Sequence, residues 1–234
     1  MSVNAMNAMS PDQLDALIAG RLVVSCQPVD DGPLDSHDIV RSFAMAAVLG
    51  GAGAVRIEGV DRLAVVRGAV KVPIIGIVKR DLPDSPVRIT PFASDVAALI
   101  AAGADIVAVD ATDRPRPESL AGLLAAIRAG GAFAMADCSG EDDAMAAHGL
   151  GFDIIGTTLS GYVGGPVPAE PDYALIELLA ARVPRVMAEG RIHTPLHAMR
   201  ARKAGAWAVT VGTAITRTEL VTRWFAEAMA PQVR

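Results

Sequence analysis

Eight apolar runs of strand length, each followed by a stretch with helical spacing, succeed one another along the chain. They are LVVSCQ, AVRIEG, VPIIGIVKR, ADIVAVDAT, GAFAMADCS, FDIIGTTLSGY, RVMAE and AWAVTV. Their starts fall roughly 20 to 35 residues apart. Strict alternation of strands and helices argues for parallel pairing through right-handed crossovers. Eight such units match a closed (β/α)8 barrel, which typically takes about 250 residues, and this chain has 234. The apolar fraction is 52% with only 4% aromatics, as expected of a buried parallel sheet built from Ala, Val, Leu and Ile. The rival is an open doubly wound sheet. Its dinucleotide-binding version would carry G-x-G-x-x-G after the first strand, where this chain has Gln27-Pro28-Val29-Asp30-Asp31-Gly32. No linker divides the chain, so residues 1–234 are expected to form a single barrel domain. Residues 1–20 are read as an N-terminal extension with a short helix, capped at Ser10-Pro11, that covers the barrel.

The bulk charge excludes some classes of function. A net charge of −5, an acidic pI and no basic run argue against nucleic-acid binding. No apolar run reaches the roughly 18 residues that would span a membrane. The N-terminal MSVNAMNAMSPDQ lacks the charged and apolar regions of a secretory signal. Cys26 and Cys138 lie in apolar runs and form no C-x-x-C, which suits reduced thiols in a cytoplasmic protein.

Polar residues gather at the C-terminal ends of the runs. Gln27, Arg56, Glu58, Lys79, Asp110, Asp137, Thr157, Thr158, Glu189 and Gly212 all fall there. In a barrel those ends line one mouth, where active sites sit. Strand ends also simply meet water, so location alone does not single out any one residue. Lys79 is less easily dismissed, because it closes the run IIGIV and would project its amine into the mouth. The seventh and eighth strands end in small-residue loops before helices, at Gly190-Arg191 and Gly212-Thr213. Such loops suit a phosphate group, with Arg217 adding charge. Arg217 is placed in the first turn of a final helix beginning near Thr216, where a cation is unfavourable unless an anion is bound. DLPDSPVRITPF, after Lys79, reads as the longest irregular loop and as a cover for the site.

With these residues in view, the chain resembles the N-acylglucosamine-6-phosphate 2-epimerase family. The resemblance rests on LVVSCQ, AVRIEG, VPIIGIVKRD, ADIVAVDAT, MADCS, GFDIIGTTLSGY, AEGRIHTP and AVTVGTAITR. It spans nearly all of the chain after the first 20 residues. Small departures fall at Cys138, Val163 and Thr218, where the family usually has Ile, Thr and Pro. The resemblance implies a metal-free, cofactor-free isomerase. It would interconvert N-acetylmannosamine 6-phosphate and N-acetylglucosamine 6-phosphate in amino-sugar and sialic-acid catabolism. The partner is then a small sugar phosphate, and the family implies a homodimer.

Inversion at carbon 2, beside the open-chain carbonyl, requires a base, an oxyanion stabiliser and a grip on the phosphate. Lys79, the family's motif lysine, is the candidate base, made neutral by burial and by a cation, Arg56 or Arg80. Glu189 is the second acid/base candidate. The family supports Gln27, Arg56 and Asp137 as sugar ligands, and Thr158 joins them by its place at the mouth. Gly190, Arg191, Gly212, Thr213 and Arg217 are assigned to the phosphate. Structural roles compete: Arg56 pairing with Glu58 or Asp110, and Asp137 capping a helix. His193 and His197 are four apart, but Pro195 between them starts a helix and so weakens a metal pair. Two other functions compete, a barrel aldolase or synthase in which Lys79 forms a Schiff base, and a sugar-phosphate sensor without catalysis.

Overall fold

The computed structural model describes residues 9–230, and the first eight residues of the expected extension lie outside them. Eight parallel strands close into a barrel in sequence order, β1 pairing with both β2 and β8. The strands are β1 Leu22–Ser25, β2 Ala54–Glu58, β3 Ile74–Ile77, β4 Ile106–Asp110, β5 Phe133–Asp137, β6 Ile154–Gly156, β7 Val186–Ala188 and β8 Ala208–Val211. The helices between them are α2 His37–Leu49, α3 Val60–Arg67, α4 Ala93–Ala101, α5 Leu120–Ala129, α6 Glu141–Leu150, α7 Tyr173–Ala180 and α8 Pro195–Lys203. After β8 come a short α9, Thr213–Thr216, and α10, Thr218–Ala228.

The two-residue period of a strand sorts its side chains. Val23, Ala54, Ile75, Ile77, Ala108, Met135, Met187 and Ala208 point inward and fill the barrel. Their neighbours Val24, Val55, Ile57, Ile74, Val107 and Ala136 face the helices. Position 76 faces the helices between inward Ile75 and Ile77, and it is glycine because nothing larger fits: a Cβ there would sit 2.7 Å from Leu63 Cδ1 and 3.1 Å from Leu99 Cδ2.

The bottom of the barrel is closed by α1, Pro11–Ile18. Ser10 caps it through Gln13 N–H, and Gln13 returns the bond to Ser10 N–H. Leu14 and Ile18 are fully buried against the barrel interior, in a cluster that includes Trp207. Asp15 binds Arg185 at 2.6 Å and accepts the Trp207 indole N–H at 2.9 Å.

Two sequence expectations are corrected. The segment after Lys79 contains no strand or helix, yet it is more ordered than an irregular loop. Lys79 pairs with Ile89 and Leu82 with Ser85 as antiparallel bridges, and Thr90 N–H donates to Val78 O at 2.7 Å. Paired backbone groups make it a small hairpin-like excursion. The last helix begins at Thr218, close to the expected Thr216, but Arg217 is its N-cap and not a residue of its first turn. Arg217 stands at the junction of α9 and α10, with φ −111° and ψ 74°.

Candidate active site

The inward parity that fills the barrel also builds the site. Two residues beyond an inward apolar residue comes an inward polar one: Ser25 after Val23, Arg56 after Ala54, Lys79 after Ile77, Asp137 after Met135, Glu189 after Met187 and Thr210 after Ala208. Six strands thus deliver polar side chains to the C-terminal mouth. There a cavity of about 280 Å³ is lined by Gln27, Arg56, Lys79, Thr158, Glu189, Gly190, Arg191, Gly212, Thr213 and Arg217. Ten of the eleven expected site residues therefore meet at one cavity. The exception is Asp137, which is fully buried behind its wall.

A charged chain crosses the barrel. Arg56, only 1% exposed, grips Asp137 through two bonds, Nη1 to Oδ1 at 3.1 Å and Nη2 to Oδ2 at 2.6 Å. Its Nη1 also donates to Glu189 Oε2 at 2.9 Å. Thr158 Oγ1 donates to Asp137 Oδ1 at 2.5 Å. This corrects the structural reading of Arg56. Its partners are neither Glu58, which binds Arg62 at 3.3 Å, nor Asp110, which binds Arg114 at 2.7 Å. Asp137 caps no helix, because the N-cap of α6 is Gly140. Burial alone would push the Arg56 charge off, but the carboxylates of Asp137 and Glu189 outweigh it and hold the guanidinium charged.

Lys79 lies half-buried across the cavity. Its Nζ donates to Gln27 Oε1 at 2.6 Å, and Gln27 Nε2 donates to Ser25 Oγ at 2.7 Å. Burial pushes the Lys79 pKa down, the Arg217 guanidinium pushes it further, and Glu58 and Asp30 oppose. Arg217 is thus the main neighbouring cation. Arg56 is a smaller contributor, and Arg80 is turned away into a bond with Asp95 at 2.5 Å. Glu189, 15% exposed, is shifted the other way. Burial raises its pKa, Arg56 opposes, and Asp137 adds to the rise.

The rim is made by the loops after β7 and β8. Gly190 (φ 111°) and Arg191 (φ 57°) both take positive φ, so the chain turns sharply here. The Arg191 guanidinium is committed to the β6–α7 loop: Nε donates to Glu170 O at 2.8 Å, Nη1 donates to Ser160 O, and the group lies over the Tyr162 ring. Thr213 and Ala214 open α9, so their N–H groups have no acceptor within it. Arg217 Nε donates to Gln27 O at 3.0 Å, which ties the rim to the end of β1.

Sequence reasoning did not place Ser25, Ile89, Tyr162 or Thr210 at the site and weighed His193 only as a metal ligand, yet all five line the cavity. Parity could have found Ser25 and Thr210. The others come from loops whose path the sequence did not reveal. His193 packs its ring 4.6 Å from that of Trp224, and its N–H points to His197 Nδ1 at 3.4 Å. Among the described residues no cluster of three or more His, Cys, Asp or Glu is arranged to hold a metal. Cys26 and Cys138 are free and buried, and burial pushes the Cys26 thiol up to about 12.

Fold and cavity together define a (β/α)8 barrel with a lysine and a carboxylate facing one small-molecule site at its C-terminal mouth. The particular family follows from comparison with known proteins. A family model described as "Putative N-acetylmannosamine-6-phosphate epimerase" matches residues 40–231, and the chain belongs to that family. A relative from Pasteurella multocida (strain Pm70), named "Putative N-acetylmannosamine-6-phosphate 2-epimerase", is 54% identical over 96% of this chain and 98% of its own. A relative of the same name from Escherichia coli O9:H4 (strain HS) is 56% identical over 94% and 97%. The solved structure of the N-acetylmannosamine-6-phosphate 2-epimerase from Clostridium perfringens superposes with a TM-score of 0.89 at 40% identity, covering 92% of this chain and 96% of that one. The deoxyribose phosphate aldolase from Aeropyrum pernix, at 17% identity and a TM-score of 0.62, shares the barrel fold alone. The family thus matches the epimerase reading of the sequence and not the aldolase alternative.

Proposed function

We infer that the protein is an isomerase that interconverts N-acetylmannosamine 6-phosphate and N-acetylglucosamine 6-phosphate by removing and returning the proton on carbon 2. Family membership supports the reaction, and the observation that carries it to the site is the joint presence of Lys79 and Glu189 on one cavity. In the open-chain aldehyde, loss of that proton leaves the charge shared with the carbonyl oxygen. Lys79 takes the proton, its burial and Arg217 favouring the neutral amine. Gln27 Oε1 aims the amine. Glu189 is the second proton-transfer group. Arg56 fixes its Oε2, and burial lets it hold a proton more readily than an ordinary carboxylate.

Gln27, Arg56 and Thr158 are the groups offered to the sugar. Asp137 serves it through Arg56 and Thr158, since its own oxygens are spent on them. The phosphate is assigned to the backbone of Gly190, Arg191, Gly212 and Thr213, with Arg217 supplying charge. A bond to a charged group is worth about 1.5–3 kcal/mol, so a few of them hold one end of the substrate. The cavity, about 280 Å³, matches the low end of small-ligand pockets.

We place the enzyme in the cytoplasm. Two free cysteines support this, and no helix among the described residues is long and apolar enough to cross a membrane. We also infer a homodimer. The helix α10 buries none of its residues, and Phe225 and Met229 stand 68% and 82% exposed on it and just beyond its end.

The test is proton NMR of N-acetylmannosamine 6-phosphate in deuterated water with EDTA, using the wild type and Lys79→Ala. The expected result is epimer carrying deuterium at carbon 2, absent with the variant. Neither product nor exchange with the wild type would overturn the assignment.

A further inference from the structure

Three residues lining the cavity carry a polar atom with no hydrogen-bond partner among the described residues: His193 Nδ1, on a half-buried ring against Trp224, and two deeper atoms, the Thr210 hydroxyl and Arg56 Nε. Thr210 and Arg56 are almost fully buried, at 2% and 1% exposed. A hydroxyl or N–H buried without a partner costs stability. Ser25, the other hydroxyl on this part of the floor, differs in accepting the Gln27 amide. The open space that Thr210 and Arg56 both border is the active-site cavity.

Their placement says what they face. Thr210 lies on β8 two residues before Gly212, about 6.6 Å deeper along the strand. Continuing the β7–β8 register from Ala188↔Val209 sets Thr210 beside Glu189. Arg56 enters from β2, on the far side of β1, and reaches across to the same Glu189. If the phosphate is held at the rim, a six-carbon chain descends to this level with its carbon 1–carbon 2 end. Lys79 Nζ and the Glu189 carboxylate are reserved there for proton transfer, and Arg56 Nη1 and Nη2 are held by carboxylates. Of the acceptors at this end, the acetamido oxygen and the oxygen on carbon 1, the second takes up charge in the reaction and gains most from two buried donors.

We propose that Thr210 is a further catalytic residue, whose hydroxyl donates, together with Arg56 Nε–H, to the carbonyl oxygen on carbon 1. When the proton leaves carbon 2, its bonding pair forms the carbon 1–carbon 2 double bond and the carbonyl pair moves onto that oxygen. The two donors meet the new negative charge. On reprotonation the pair returns to carbon 2 and the carbonyl reforms, so no oxidant or co-reactant is needed. Donors aimed where charge develops act mainly on kcat.

The inference rests on the epimerase reading above, and the test separates the two. Epimerisation is measured for the wild type, Thr210→Val and Thr210→Ser, each beside a thermal melt. Valine keeps the shape and removes the orphan hydroxyl. The expected result is a kcat/KM lower by about 10- to 100-fold, carried by kcat, with a Tm no lower than the wild type. Serine should stay within about threefold, since it restores the donor. Two inhibitors then locate the oxygen: the alditol 6-phosphate, which retains an oxygen on carbon 1, and its 1-deoxy analogue, which lacks it. Valine should weaken the first about tenfold and leave the second unchanged. A valine variant within twofold of wild-type kcat/KM overturns the role, and equal weakening of both inhibitors overturns the carbon 1 assignment. Should valine fail to fold, a serine variant as impaired as Lys79→Ala overturns it too. A wild type inactive on both sugar phosphates sinks the epimerase reading, and this inference with it.

Discussion

Replacing Asp137 by asparagine should weaken the fold more than it weakens substrate binding. Asp137 is fully buried, and both its oxygens are engaged by Arg56, itself 1% exposed. Removing one member of a buried pair leaves the other charge uncompensated and costs about 3–5 kcal/mol. Alanine should lose about that much. Asparagine keeps the shape and one carbonyl acceptor, so its cost is closer to that of a charge-assisted bond, about 1.5–3 kcal/mol. Glu189 remains on Nη1 and prevents complete loss of the counter-charge. For a chain of this size each kcal/mol moves Tm by about 2–4 °C. Asparagine should therefore lower Tm by about 3–12 °C and alanine by about 6–20 °C. The assay is thermal unfolding by circular dichroism, beside KM and kcat measured well below the transition. An asparagine variant that melts within about 2 °C of the wild type, while KM rises tenfold, would refute the reasoning and return Asp137 to direct contact with the sugar.

Two further outcomes test the electrostatics and the packing. Arg217→Gln removes the cation that, after burial, most depresses Lys79. The Lys79 pKa should then rise and less of the amine should be neutral at a given pH. The rising limb of kcat/KM against pH should move to higher pH. A limb that stays or moves to lower pH counts against Lys79 as the base. Leu14→Ala empties a fully buried site at the barrel bottom, far from the mouth. It should cost about 2–5 kcal/mol while leaving the kcat of the folded enzyme unchanged, and an unshifted Tm would mean that α1 does not seal the barrel.

The barrel was legible because its signal repeats. Each apolar run is too short for a helix and too apolar for a half-exposed strand, and eight of them in alternation leave few closed arrangements. The site was legible for the same local reason: Gln27, Lys79 and Glu189 each just follow a strand, Arg56 lies two residues before the end of β2, and chain position alone brings strand ends together. What stayed hidden was pairing across the barrel. Nothing local to AVRIEG says that Arg56 reaches β5 and β7 rather than Glu58 two residues away. The contact depends on the barrel's width and on the length of the arginine side chain. Likewise the sequence shows that Arg191 follows a glycine, but not that its guanidinium bends back to the carbonyls of Ser160 and Glu170. The segment after Lys79 misled because it is rich in proline and aspartate, a loop composition, while a few backbone bonds sufficed to order it.

The network gives Asp137 a purpose that a ligand assignment would miss. Arg56 alone beside Glu189 would hold that carboxylate charged and so unwilling to carry a proton. Asp137 takes two of the guanidinium's bonds, and its own negative charge adds to the burial that raises the Glu189 pKa. Across the cavity, burial and Arg217 lower Lys79. The two groups are thus moved toward each other from opposite ends of the pH scale. A reaction that removes a proton from one face of a carbon and returns it to the other needs both groups to exchange protons near neutrality. On this reasoning Asp137→Asn leaves Arg56 more fully to Glu189 and lowers its pKa. The variant's activity should then fail first where a protonated carboxyl is required, as pH rises, and a pH profile unchanged in shape would break the link between Asp137 and the poise of Glu189.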